Sequence, residues 1–80
     1  MKSVINENIE IPEIELGEYR HYKGKKYEVI GVGLDTETLV PLVIYKPLYK
    51  SRVLYWVRPL AMFNEVVEFD GIKTPRFAKL

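Results

Sequence analysis

The stretch Tyr55-Trp-Val-Arg-Pro-Leu-Ala-Met-Phe63 sets how the rest of the chain must be arranged. Up to Arg58 it alternates as a strand does, so Trp56 and Arg58 share one face and Tyr55 and Val57 the other. Pro59 has no amide donor and ends the strand. Proline is also well placed at the first position of a helical turn, where its missing N–H would lack a partner anyway. Leu60 to Phe63 then reads as one short helical turn, with Leu60 and Phe63 on a common side. Hairpin-like segments precede this corner and another follows it, and they are expected to close into a small barrel around it.

Working outward on the N-terminal side, Val53 to Arg58 is the strand that enters the corner. Lys46 to Arg52 before it is a loop, although Leu48 and Tyr49 within it are large and apolar. Leu39 to Lys46 is an earlier strand, with Pro41 near its start. Asp35-Thr36-Glu37-Thr38 is a polar connection whose short oxygens can bond local amides. Tyr27 to Leu34 is the strongest strand, rich in β-branched and aromatic residues. Its glycines at 31 and 33 suit a sharp bend or a close backbone approach. Lys23-Gly24-Lys25 is a turn, because glycine accepts positive φ without a Cβ clash. Glu18 to Tyr22 alternates weakly and forms the first strand of the body.

On the C-terminal side, Phe63 to Phe69 resumes an extended path. Asp70-Gly71 is a hairpin signal for a type I′ turn. Ile72 to Thr74 returns as a short strand limited by Pro75, and Arg76-Phe77 docks the C-terminus. The result is an all-β chain of five or six short strands with one helical turn near residues 59–63. Close turn spacing and almost no helix predict a small antiparallel barrel or a highly bent sheet. The expected core is Val29, Ile30, Val32, Leu42, Ile44, Val57, Leu60, Phe63 and Val67.

Eighty residues with 48% hydrophobic content make one domain near the lower limit for an unaided core. No cysteine is present, which removes disulfides, thiolate zinc sites and a cysteine nucleophile. The first residues lack the apolar run of a signal peptide, and no segment is long enough to span a bilayer. A cytoplasmic protein without membrane contact is expected. The net charge of +1 hides an asymmetry. Residues 1–18 carry Glu7, Glu10, Glu13, Glu15 and Glu18 against Lys2, whereas residues 19–80 are basic overall. Residues 1–16 read as an acidic extended arm or edge strand, and residues 17–80 as the barrel. The arm is either an ordinary solvated tail or a mask for the basic body.

Several short strings recur in a known order: Tyr19-Arg-His-Tyr-Lys-Gly24, Tyr27-Glu-Val-Ile-Gly-Val32, Thr36-Glu-Thr-Leu39, Trp56-Val-Arg-Pro-Leu60 with Met62-Phe63, and Pro75-Arg-Phe77. Together they resemble the small bacterial family called domain of unknown function 1653, over residues 17–77. The resemblance implies a short intracellular bacterial domain, found alone or attached to others, with an SH3-like barrel, and it implies no activity. Asp35-Thr36 stands where the family commonly has His-Ser, and the arm is longer than the usual leader.

The residues exclude more chemistry than they supply. His21 is the only histidine, so a converging metal site lacks ligands. Neither Ser3 nor Ser51 lies in a nucleophile-elbow sequence. Gly31-Val32-Gly33 lacks the third glycine and the helix of a dinucleotide fingerprint. No metal, cofactor or catalytic residue is expected. Glu37 in its polar turn can pair with Arg58 across the barrel or stay free as an acceptor. Trp56 is either a core ring or, with Arg58 on the same face, a stacking surface beside a donor fork.

The leading expectation is a non-enzymatic binding module that takes a protein segment, or a partner domain, in an aromatic-lined groove. The groove residues would be Tyr19, His21, Glu37, Tyr45, Trp56 and Arg58. A second reading is binding of RNA or single-stranded DNA by interleaved basic and aromatic residues. Arg20, Tyr22, Lys23, Lys25 and Lys26 would form one patch, and Lys46, Tyr49, Lys50 and Arg52 another. Tyrosines packed across strands explain the same pattern more simply. A third reading is a small-molecule or nucleotide pocket around His21, Glu37 and Arg58. The oligomeric state is not legible.

Overall fold

The computed structural model describes residues 9–80. Its larger unit is a five-stranded antiparallel sheet built as a meander. β1 (Gly17–His21) turns into β2 (Lys26–Leu34), which pairs β3 (Pro41–Pro47), which pairs β4 (Trp56–Pro59). Helix α1 (Leu60–Phe63) follows directly, then the hairpin of β5 (Val66–Phe69) and β6 (Ile72–Pro75). The last strand, β7 (Phe77–Lys79), returns to the free side of β1, giving the order β4-β3-β2-β1-β7. All pairings are antiparallel and the helix is a single turn, so the chain is all-β as expected.

Closure is where the structure departs from expectation. Among the described residues β4 and β7 each pair on one side only, so the sheet remains open instead of sealing into a barrel. The strand bounds shift as well. The chain from Leu48 to Tyr55 stays irregular, so β4 starts at Trp56 and not at Val53. The extended segment after the corner starts at Val66, because Asn64 and Glu65 are spent closing α1: their amides donate to the Leu60 and Met62 carbonyls at 3.0 and 3.2 Å.

Two turns follow their residues closely. Pro59 caps α1 in an extended conformation (φ −51°, ψ 135°), the geometry its ring allows. Asp70 and Gly71 both have positive φ (54° and 76°), which gives the hairpin its type I′ twist. Between β2 and β3, Asp35 Oδ1 accepts from the Glu37 and Thr38 amides at 2.8 and 3.0 Å. These two backbone donors favour the ionised carboxylate and hold Asp35 below its ordinary pKa.

The glycine-rich half of β2 contains a bulge. Val29 opposes Tyr45, but Gly31, two residues on, opposes Ile44, so Ile30 is an extra residue in the strand. Phase therefore changes within β2: Tyr27 and Val29 before the bulge, and Val32 after it, lie on one face with Tyr45 and Val43. That face meets α1 and carries the core.

The core is aromatic, not the aliphatic set the sequence suggested. Its buried members are Tyr19, Val29, Val43, Tyr45, Phe63 and Phe77, with Ile14, Tyr27 and Leu60 packed against them. Phe63 and Phe77 stack in parallel at 4.1 Å, while Tyr19 and Tyr45 meet Phe63 edge-on. Edge-to-face contacts suit the ring quadrupole and add stability beyond area burial. Of the expected core, Val29 and Phe63 are buried. Val32, Leu42, Ile44, Leu60 and Val67 are half-buried, and Ile30 and Val57 are exposed at 43% and 55%. Ile44 and Val57 pair across strands on the opposite face from Tyr45 and Trp56, so they could not join the same core.

Residues 9–16 run alongside the body without strand pairing. Ile14 packs on the core, and the Tyr19 hydroxyl donates to the Glu15 carbonyl at 2.6 Å. Burial, then the nearby Glu15 charge, raises the Tyr19 phenol above its ordinary value. Among the described residues no ion pair joins Glu10, Glu13 or Glu15 to the basic body. Among the described residues no helix is long and apolar enough to cross a membrane.

Candidate functional site

Strand parity assembles the site. On the inner face His21 sits opposite Phe77, Tyr45 opposite Trp56, and Val43 opposite Arg58. These two strand pairings, with Tyr27 contributed by β2 between them, bring His21, Tyr27, Tyr45, Trp56, Arg58 and Phe77 around one pocket of about 150 Å³. Its floor is ring against ring. Tyr27 meets Tyr45 and Phe77 edge-on at 5.4 and 5.8 Å, and His21 meets Phe77 at 4.9 Å. Trp56, 43% exposed, forms part of the rim.

Hydrogen bonds fix the polar members. Arg58 Nε donates to the Tyr45 hydroxyl at 3.2 Å, and the guanidinium carbon lies 5.6 Å from the centre of the Phe77 ring. Tyr27 and Tyr49 join hydroxyl to hydroxyl at 2.9 Å. Burial, with that bond and the neighbouring phenols, drives the Tyr27 phenol far above its ordinary range. His21 Nδ1 accepts from the Lys23 amide at 3.1 Å, which leaves the proton of the neutral ring on Nε2. Burial chiefly, then the charges of Arg58, Arg76 and Lys23, holds the His21 pKa below its ordinary value.

Of the residues expected to line a groove, His21, Tyr45, Trp56 and Arg58 converge here. Tyr19 does not, because its ring is buried in the core beside Phe63. Glu37 does not either: it sits exposed in the β2–β3 turn, and no ion pair links it to Arg58. The trio His21, Glu37 and Arg58 is therefore not assembled. Tyr27 and Phe77 are the lining residues that sequence reasoning left out. Tyr27 was legible in principle, since it opens the strongest strand in the midst of other tyrosines. Phe77 was not, because its place depends on β7 returning beside β1.

The basic and aromatic residues considered for nucleic acid lie around the β1–β2 turn and the β3–β4 loop, which meet where the Leu48 amide donates to the Lys26 carbonyl at 3.0 Å. Several are engaged within the chain. Lys25 lies over the Tyr49 ring at 4.2 Å, Lys23 over Tyr22 at 5.8 Å, and Lys46 pairs with Glu28 at 3.6 Å. Tyr22 also packs edge-on against Phe69 of the hairpin. Arg20, Lys26, Lys50 and Arg52 make no ion pair among the described residues.

Arg76 has a structural task that the sequence did not disclose. Its Nε donates to the Met62 carbonyl at 3.2 Å, and its Nη2 reaches Glu65 Oε1 at 2.8 Å. It thereby ties the end of α1 to the segment before β7. Among the described residues no cluster of three or more His, Asp or Glu side chains could hold a metal. A wider, shallower hollow of about 380 Å³ lies between residues 11–16 and Val32, but among the described residues that line it only Glu13 is titratable.

The family described as "Protein of unknown function (DUF1653)" matches residues 17–79, and the chain belongs to it. The crystal structure of a member of this family from Bordetella bronchiseptica superimposes with a TM-score of 0.80 at 35% identity. The match covers 85% of this chain and 88% of that one. No curated protein matches the chain.

Proposed function

We propose that the chain is a binding module and that an extended protein segment docks across the pocket between β1, β3, β4 and β7. The observation that carries this reading is Trp56. A large amphipathic ring stands exposed on a pocket rim, on a strand whose outer edge pairs with none of the described residues. An added peptide strand gains main-chain bonds along such an edge, while an adjacent pocket selects one of its side chains. The meander itself reads as an opened SH3-like barrel, in which a closing contact between β4 and β7 is replaced by the pocket mouth. A bacterial cytoplasmic setting agrees with this reading.

The nucleic-acid reading is weaker, because Lys25, Lys46 and Tyr49 are already engaged inside the chain. An amide NMR titration with peptide pools, and separately with single-stranded RNA and DNA pools, tests the choice at two salt concentrations. The expected result is peptide-induced shifts at Tyr45, Trp56, Arg58 and Phe77 that change little with salt. Shifts with nucleic acid centred on Lys25 and Tyr49 that collapse as salt rises would replace this reading by the other.

A further inference from the structure

We infer that the pocket is a receptor for a carboxylate, so that on the reading above the docked segment places an acidic side chain or its own C-terminus against Arg58. This rests on the peptide reading for the source of the carboxylate, but the receptor itself follows from the pocket alone.

A pocket lined with aromatic rings can serve either sign of charge, so the sign has to be argued. An aromatic cage of this kind suits a cation when its centre is vacant. Here a cation is already present: the Arg58 guanidinium stands over the Phe77 ring, anchored through Nε to Tyr45. A second cation would meet it without an intervening acid. The two ion pairs among the described residues, Lys46 with Glu28 and Arg76 with Glu65, leave Arg58 out. Anchoring through Nε keeps the guanidinium plane fixed and leaves its terminal nitrogens, the fork that grips a carboxylate in two parallel bonds.

The surroundings agree. Arg58, Arg76 and Lys23 act on His21 with one sign, and no carboxylate opposes them there. Tyr27, whose phenol burial drives far above its ordinary range, adds no negative charge to the lining. The neutral imidazole keeps its remaining proton on Nε2 as a further donor. Size narrows the choice. At about 150 Å³ the pocket is smaller than the roughly 300–1,000 Å³ of a typical small-molecule site, so it suits one short side-chain group and not a nucleotide.

The test uses the isotopically labelled full chain with benzoate, benzamide, tetramethylammonium and inorganic phosphate as probes. Benzoate is expected to shift the Trp56 indole N–H and Arg58 Nε–H signals saturably, and to raise the His21 pKa read from its ring carbons. Benzamide, of the same shape without charge, should bind at least about tenfold more weakly. Arg58→Gln should abolish the benzoate response in a spectrum that stays dispersed, and Arg58→Lys should restore only part of it. Equal binding of benzamide, binding of tetramethylammonium, preference for phosphate, or an unchanged response in Arg58→Gln would each overturn the inference.

Peptide arms keep the two claims apart. For a peptide that docks at the pocket, amidating its C-terminus and replacing its acidic side chains one at a time identifies the source of the carboxylate. If no such change weakens it, the carboxylate receptor fails and the peptide reading stands. If benzoate binds while every peptide pool is silent, the receptor stands and the peptide reading fails.

Discussion

Phe63 and Phe77 lie ring on ring, yet their outer neighbours differ in kind. Phe63, the last residue of α1, is 1% exposed and is met by the Tyr19 edge and by a cluster on which Ile14 and Leu60 pack. Phe77 faces the pocket, with His21 edge-on, Arg58 above and Trp56 at the rim. One aromatic stack thus has a shut end and an open end. Apolar neighbours can desolvate a ring completely. The Tyr19 hydroxyl at the shut end is satisfied by the Glu15 carbonyl, whereas an imidazole and a guanidinium with free donors need water or a ligand nearby, so they leave a mouth. The shut end supplies cohesion to a small domain, and the open end supplies a surface that a partner can complete.

Substitutions at the two ends should separate these roles. Phe63→Ala is expected to cost about 3–5 kcal/mol in urea unfolding, because it empties the shut end. Trp56→Ala removes a ring of greater size from the open end, yet should cost only about 1–2 kcal/mol, since much of that ring is already in water. Equal losses for the two variants would erase the distinction. Arg76→Ala should cost about 1 kcal/mol, through the lost tie between Met62, Glu65 and the approach to β7, with partial solvent screening of the ion pair.

The smallest effect expected is a pH step. Because the folded protein holds the His21 pKa below the free value, the unfolded chain takes up that proton first. Stability should then fall as pH drops through the window just below ~6.5 and level off once the folded imidazole is charged. Comparing thermal melts of the wild type and His21→Gln across that window isolates the step. A wild-type curve parallel to the variant's would mean that neither burial nor the neighbouring cations hold the His21 pKa down.

Much of the local structure was readable because it depends on single residues. Pro59 can only end a strand and start a turn, and Asp70-Gly71 can adopt the two positive φ values the hairpin needs. Trp56 and Arg58 share a face through parity alone, and so the part of the pocket wall that β4 contributes followed from their spacing. The core was misjudged because aliphatic side chains were ranked above aromatic ones. Val57 and Ile44 alternate correctly but on the face that α1 does not cover. The bulge at Ile30 reversed the expected phase of β2, and no residue type announces it. Closure and the place of Phe77 are long-range outcomes. They depend on where β7 returns, which no local pattern specifies. Glu37 was drawn toward Arg58 by charge complementarity, but the Asp35 turn holds its backbone within the exposed β2–β3 connection.

The extra residue in β2 has a consequence for how lineages of this domain can change length. Removing one residue from most of the strand would turn every following side chain to the wrong face and scatter the rings. Removing Ile30 would not. Val29 opposite Tyr45 would pass directly to Gly31 opposite Ile44, and all later partners would remain as they are. What would be lost is the local kink. Position 30 is therefore the place in β2 where a deletion can be inherited with the pairing intact, at the expense of a flatter sheet and a shallower bowl for the rings it holds.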